Sequence, residues 1–186
     1  MAIDDLIQDA TRRMHKSVEA AQAEFSTLRT GRASPALLDR VQIDYYGQQT
    51  PLKQLATISA PEPRLLTIQP FDPNSVASIE RAIQESDLGL TPSNDGKLIR
   101  LPIPQLTEER RKELVKVVRN MAEEGKVAVR NVRRDAIHHL KELVDKGEVG
   151  SDEEHRAEER VQKLTDEHVQ EIDELLKRKE AEIMEV

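Results

Sequence analysis

Between residues 3 and 28 the apolar side chains fall at Ile3, Ile7, Ala10, Met14, Val18, Ala21, Phe25 and Leu28, in steps of three and four. That spacing lines one side of a helix, and it predicts a first helix to Arg29 with Gly31 as its C-terminal cap. A second stripe runs through Leu114, Val118, Met121, Val129, Val132, Ala136, Leu140 and Leu143. Its helix is predicted to start at an N-capping Thr107, with Glu108 and Glu109 in the first turn, and to stop at Gly147. A third stripe (Ala157, Val161, Leu164, Val169, Ile172, Leu176, Ile183) follows Ser151-x-x-Glu154, which reads as a capping box. Each helix has one apolar side, so the simplest burial is an elongated antiparallel three-helix bundle. Gly125 interrupts the second helix at a cost of about 1 kcal/mol relative to alanine, a position suited to close packing.

The middle of the chain reads differently. All nine prolines lie between Pro35 and Pro104, as do three of the four aromatic residues. Proline breaks helices, so this segment is predicted to be built of strands and turns. Val41–Tyr46 alternates and ends at Gly47, while Leu55–Ser59, Leu65–Gln69 and Leu98–Leu101 are further strands. Asp72-Pro73 opens a short helix burying Val76, Ile79 and Ile83, and Asn94-Asp-Gly96 is a turn. The expected fold class is therefore α+β with two domains. Residues 1–30 and 105–186 form the bundle, and residues 31–104 form a small inserted β/α/β domain reached through two neighbouring passages of chain.

Composition narrows the function. No cysteine is present, which removes thiol chemistry and disulfides. No run is long and apolar enough for a membrane helix, and acids follow the N-terminal Met-Ala-Ile, so a cytoplasmic protein without a membrane partner is expected. The five histidines form no metal-binding pattern: His138 and His139 point about 100° apart on a helix, and no His-Glu-x-x-His or Glu-x-x-His occurs. His168 lies on the apolar side and reads as a packed residue. Gly89–Lys97 has six residues between its glycines and Leu98 in place of Ser or Thr, so it reads as a turn and not a phosphate loop. Neither a catalytic constellation, a metal site nor a cofactor is expected.

The charge is uneven. Ser151–Val186 holds 13 acids against 6 bases and so accounts for the whole net charge of −7, whereas Arg110–Arg134 holds 9 bases against 3 acids. On a helical projection, Lys112, Lys116, Arg119, Lys126, Arg130, Arg133 and Arg134 share a sector of about 100° beside the apolar side. Such a stripe is commonly just solvated, here paired with the acidic third helix. Two details favour a polyanion: arginine, suited to bidentate phosphate contacts, dominates its C-terminal half, and the first helix ends in Arg29-Thr-Gly-Arg32.

Several ordered motifs point the same way. Arg29-Thr-Gly-Arg-Ala-Ser-Pro35, Tyr45-Tyr-Gly47, Ser86-Asp-Leu-Gly-Leu90, Pro104-Gln-Leu-Thr-Glu-Glu-Arg-Arg-Lys112 and Val127-Ala-Val-Arg-Asn-Val-Arg-Arg-Asp135 resemble bacterial ribosome recycling factors over essentially the whole chain. The resemblance implies an L-shaped pair of domains whose bundle binds the ribosomal RNA of the large ribosomal subunit. The smaller domain would face elongation factor G, whose GTP hydrolysis drives dissociation of post-termination ribosomes. It further implies RNA contacts from Arg29, Arg32, Arg130, Arg133 and Arg134. A hinge would lie at Thr30, Ala33, Ser34 and Pro35 on one passage, and at Pro102, Ile103, Pro104 and Gln105 on the other. A helical scaffold or adaptor is the alternative; it would oligomerise through its stripes, whereas the bundle reading expects a monomer.

Overall fold

The computed structural model describes residues 2–185. Contacts divide the chain into two units: one holds the chain through Leu28 and from Lys112 onward, the other Arg29–Arg111. The architecture is α+β.

The first unit is built from α1 (Ala2–Ser26), α3 (from Glu108 to Asp145) and α4 (Ser151–Met184). At about 1.5 Å per residue, α3 is some 57 Å long. Cross-helix contacts give the directions. Arg13 meets Asp135 and the Ala21 level meets Gly125, so α1 and α3 are antiparallel. Arg119 meets Glu180 and Lys126 meets Asp173, so α3 and α4 are antiparallel as well. Asp4 meets Arg160 and the Ala21 level meets Ile172, so α1 runs parallel to α4. The core is a thin file: Met14, Val18, Phe25, Val118, Val129, Leu140, Val161 and Ile172 are buried. Met121, Leu143, Leu164, Val169 and Leu176 of the predicted stripes are only half-buried, and Ala122, Thr165 and His168 fill the positions between them. His168 is a packed residue whose Nδ1 lies 2.7 Å from the Leu164 carbonyl.

Gly125 has a packing role. A Cβ there would sit 3.1 Å from the Ala21 Cβ and 3.2 Å from Ile172 Cδ1, closer than ordinary contact. The glycine lets all three helices converge at one level.

Two predicted caps are corrected. The N-cap of α4 is Gly150, with no side-chain cap, and Ser151 is already helical. The Glu154 N–H is satisfied by the Gly150 carbonyl at 2.9 Å, and Asp152, Glu153 and Glu154 favour this end through the helix dipole. Likewise α1 ends at Ser26, where Thr27 and Leu28 close the last turn with N–H bonds to Glu24 and Phe25 carbonyls. Gly31 lies too far on to cap it. Its positive φ of 75° serves a chain crossing, where a Cβ would meet Leu106 Cγ at 3.0 Å. The predicted Thr107 cap does form, its Oγ1 accepting the Arg110 N–H at 3.1 Å.

In the second unit, β1 (Gln42–Tyr45) and β2 (Gln48–Pro51) make a hairpin across Tyr46-Gly47. Both turn residues have positive φ, 52° and 82°, the twist a two-residue hairpin requires. Strands β3 (Ala56–Glu62), β4 (Leu65–Pro70), β5 (Ser93–Asn94) and β6 (Ile99–Pro102) form an antiparallel sheet in the order β3-β4-β6-β5. The register sets Leu66 opposite Leu101 and Ile68 opposite Ile99, all buried, so alternation along two strands gives one apolar side. Helix α2 (Val76–Glu85) follows a 3-10 turn capped by Asp72 and buries Val76, Ile79 and Ile83 in the same core.

Candidate nucleic-acid interface

The cationic stripe of α3 is not uniform. Arg119 Nε donates to Glu180 Oε1 at 2.6 Å, and Lys126 pairs with Asp173, both acids on α4. Lys116 is exposed and makes no ion pair among the described residues, while Lys112 has a partner. Among the described residues, the pairing of this stripe with α4 acids stops beyond Lys126. Arg130 Nη1 reaches only Glu123 of its own helix, at 3.4 Å. Arg133 Nη1 donates to the neutral amide oxygen of Gln162 at 3.3 Å. Arg134 is exposed and has no ion pair among the described residues.

An open groove of about 500 Å³ lies at this end of the stripe, lined by Arg133, Arg134, Ile137, His138, Lys141 and Gln162. Two of its cationic or titratable residues, His138 and Lys141, extend the arginine set by a further turn or two. Lys141 falls inside the same sector of about 100° as the other cations, so the helical projection alone could have found it. Gln162 comes from α4, and nothing in its own sequence neighbourhood distinguishes it. His138 and His139 stand 6.2 Å apart, ring centre to ring centre, and each lies 3.4 Å from a Glu142 carboxylate oxygen. Among the described residues no group of three histidine, aspartate or glutamate side chains is placed to hold a metal ion.

Asp135 follows Arg134 directly but belongs to another contact. It accepts from Arg13 of α1 at 2.8 Å. Its carboxyl is held below the ordinary aspartate range by that hydrogen bond first, with desolvation opposing the shift and the charge of Arg13 adding to it. The acid nearest the arginines in sequence is therefore drawn toward a different helix.

Arg29 and Arg32 fall in the second unit. Arg29 Nη2 donates to the Asp87 carbonyl at 3.1 Å, and its other terminal nitrogen lies 4.0 Å from where a Cβ of Gly89 would be. The Arg29–Pro35 and Ser86–Leu90 motifs thus meet. Because the acceptor is a neutral carbonyl, the guanidinium is oriented without losing its charge. Arg32 has a partner of its own.

The predicted hinge residues are in the same unit. The Ala33 N–H donates to the Pro63 carbonyl at 2.6 Å and the Ile103 N–H to the Arg64 carbonyl at 2.8 Å, so both passages of chain are clipped to one β-turn. Thr30 and Ile103 are buried. Ser34 caps a 3-10 turn that begins at Pro35. Pro102 ends β6, while Pro104 and Gln105 are exposed. Among the described residues no helix is long and apolar enough to cross a membrane.

The sequence profile of the family described as "Ribosome recycling factor" matches residues 21–184. The ribosome-recycling factor of Rubrobacter xylanophilus is 60% identical over 180 residues, 97% of each chain. That of Halalkalibacterium halodurans is 58% identical over 182 residues, 98% of each. A solution structure of the ribosome recycling factor aligns with a TM-score of 0.82 at 46% identity, covering 100% of this chain and 99% of that one. Models of the T. thermophilus ribosome recycling factor and E. coli elongation factor G bound to the E. coli post-termination complex align with a TM-score of 0.70 at 48% identity, covering 99% and 100%. Profile, relatives and fold agree along essentially the full chain, and it belongs to the ribosome recycling factor family.

Proposed function

We propose that this protein works without chemistry of its own, as a cytoplasmic monomer that needs no cofactor. Its bundle grips the ribosomal RNA of the large subunit, and its small domain meets elongation factor G. Together with that factor and GTP it releases post-termination ribosomes from mRNA and splits the subunits. The RNA contacts are assigned to Arg130, Arg133 and Arg134 on the bundle and to Arg29 and Arg32 on the small domain. The observation that carries this is the arginine end of α3: three guanidinium groups on one face, none held by a carboxylate of the neighbouring acidic helix. Phosphate contacts of this kind fix position and orientation on RNA without reading sequence. The factor biases a ribosomal state only by binding two states unequally, and GTP supplies work through the partner.

The hinge is assigned to Thr30, Ala33, Ser34, Pro35, Pro102, Ile103, Pro104 and Gln105. Within that set the clips hold Ala33 and Ile103 to the small domain, so the larger share of the turning is assigned to Thr30 on one passage and to Pro104 and Gln105 on the other. Residues 31–104 then form the moving domain. The test is polysome breakdown with and without this protein, elongation factor G and GTP. Breakdown that requires all three is the expected result; breakdown without the protein, or none with all three present, overturns the reading.

A further inference from the structure

The ion pairs between α3 and α4 keep a heptad register. Arg119 pairs with Glu180, and seven residues further along α3 and seven back along α4, Lys126 pairs with Asp173. One more heptad sets Arg133 opposite Asp166. That pair is not made. Arg133 donates to Gln162 Oε1 at 3.3 Å, and Gln162 Nε2 donates to Asp166 Oδ1 at 2.9 Å.

The chemistry allows only one orientation of this amide. A carboxylate only accepts and a guanidinium only donates, so Nε2 must face Asp166 and Oε1 must face Arg133. Gln162 therefore satisfies the acid and the arginine together and stands between them. We infer that Gln162 is a positioning residue that keeps Asp166 off Arg133, leaving the arginine oriented at the edge of the groove with its charge uncompensated for an RNA phosphate. This rests on the RNA reading above and extends the interface to α4. Without the amide, Asp166 would complete the heptad series and claim Arg133, as Asp173 claims Lys126. The interposed amide explains why pairing lapses at this level of an otherwise acidic helix.

The test uses the full-length protein and purified large ribosomal subunits in a co-sedimentation titration. Gln162→Ala is expected to weaken binding roughly two- to fivefold, the scale of one exposed ion pair formed in competition with RNA. Asp166→Asn should bind as the parent does, and Gln162→Ala combined with Asp166→Asn should return to that level. Unchanged binding by Gln162→Ala overturns the inference. So does a double variant as weak as Gln162→Ala, because Gln162 would then act by its own contact and not by holding off the acid. Arg133→Ala separates the two readings. If it binds normally, the RNA assignment of Arg133 fails and the inference falls with it. If it binds weakly while the Gln162 series fails, only the inference is lost.

Discussion

Two stretches of α3 carry the same kinds of charge on the same face and meet different neighbours. In the middle of the helix Arg119 and Lys126 are tied to Glu180 and Asp173 of α4. Nearer the C-terminal end, Arg130 reaches an acid of its own helix, Arg133 an amide, and Arg134 no ion-pair partner among the described residues. A charge count along one helix treats these stretches as equal. The local field does not, because an opposite charge a few ångströms away cancels most of what a distant polyanion would feel. The solvated-and-paired reading of the stripe holds for its middle, and the polyanion reading is proposed for its end.

The sharpest way to break this comparison is to delete each stretch in turn. Replacing Arg130, Arg133 and Arg134 together by alanine is expected to lower affinity for the large subunit by about a thousandfold or more, since each charge-assisted contact contributes about 1.5–3 kcal/mol. Replacing Arg119 and Lys126 together should cost less than about threefold in affinity, because Glu180 and Asp173 already compensate these charges and leave little of their field for RNA. Co-sedimentation across a salt series measures both, and the triple variant should also flatten the salt dependence. Equal losses would mean that the α4 acids do not silence the middle stretch.

Much of this was legible in the sequence, for identifiable reasons. Steps of three and four wrote the three helices, and Thr107 capped α3 as its position indicated. Proline placement set the middle of the chain apart from the helical flanks, and the strands fall there. Strand β2 was missed because Gln48-Gln-Thr-Pro51 has no apolar alternation and is held by backbone pairing with β1. Ser151 has the residue type of a cap, but the extended ψ of 163° lies at Gly150 and makes that residue the boundary. In the interface, residues on one helix followed from an angle, and Lys141 would have too. The anchoring of Arg29 on the Asp87 carbonyl and of Arg133 on Gln162 needs contacts across 58 and 29 residues, which periodicity cannot supply.

A second prediction separates what the middle stretch does for the fold from what the end does for binding. Gly125 precedes Lys126 at the level where α1, α3 and α4 converge. Valine there would add branched carbons to a position where even a Cβ is 3.1 Å from Ala21. The expected destabilisation is about 1–3 kcal/mol, as for overpacked cores, despite the removal of a helical glycine that costs about 1 kcal/mol relative to alanine. Thermal unfolding reads it directly. The arginine triple variant should unfold within a degree or two of the parent, and Gly125→Val should not. A parent-like melting temperature for Gly125→Val would show that the helices can part at this level without loss.

The smallest effect concerns the acid drawn away from the arginine end. Asp135 has a depressed pKa in the folded protein because it accepts from Arg13 on α1. In the unfolded chain it returns to the ordinary value of about 3.9. Between these two values the unfolded state holds more protons, so stability rises with pH there. The contribution is complete above the ordinary value and is lost as pH falls through the folded one. Asp135→Asn should therefore melt slightly below the parent at pH 6, and the gap should close as the pH drops below about 4. A gap that stays constant down to strongly acidic pH would assign the loss to packing instead of charge. At neutral pH the same variant should bind large subunits within about twofold of the parent, as an acid already paired with Arg13 offers the arginines little compensation. A marked gain in affinity would instead place Asp135 among the groups that mask the arginine end, and the boundary between the two stretches of α3 would move.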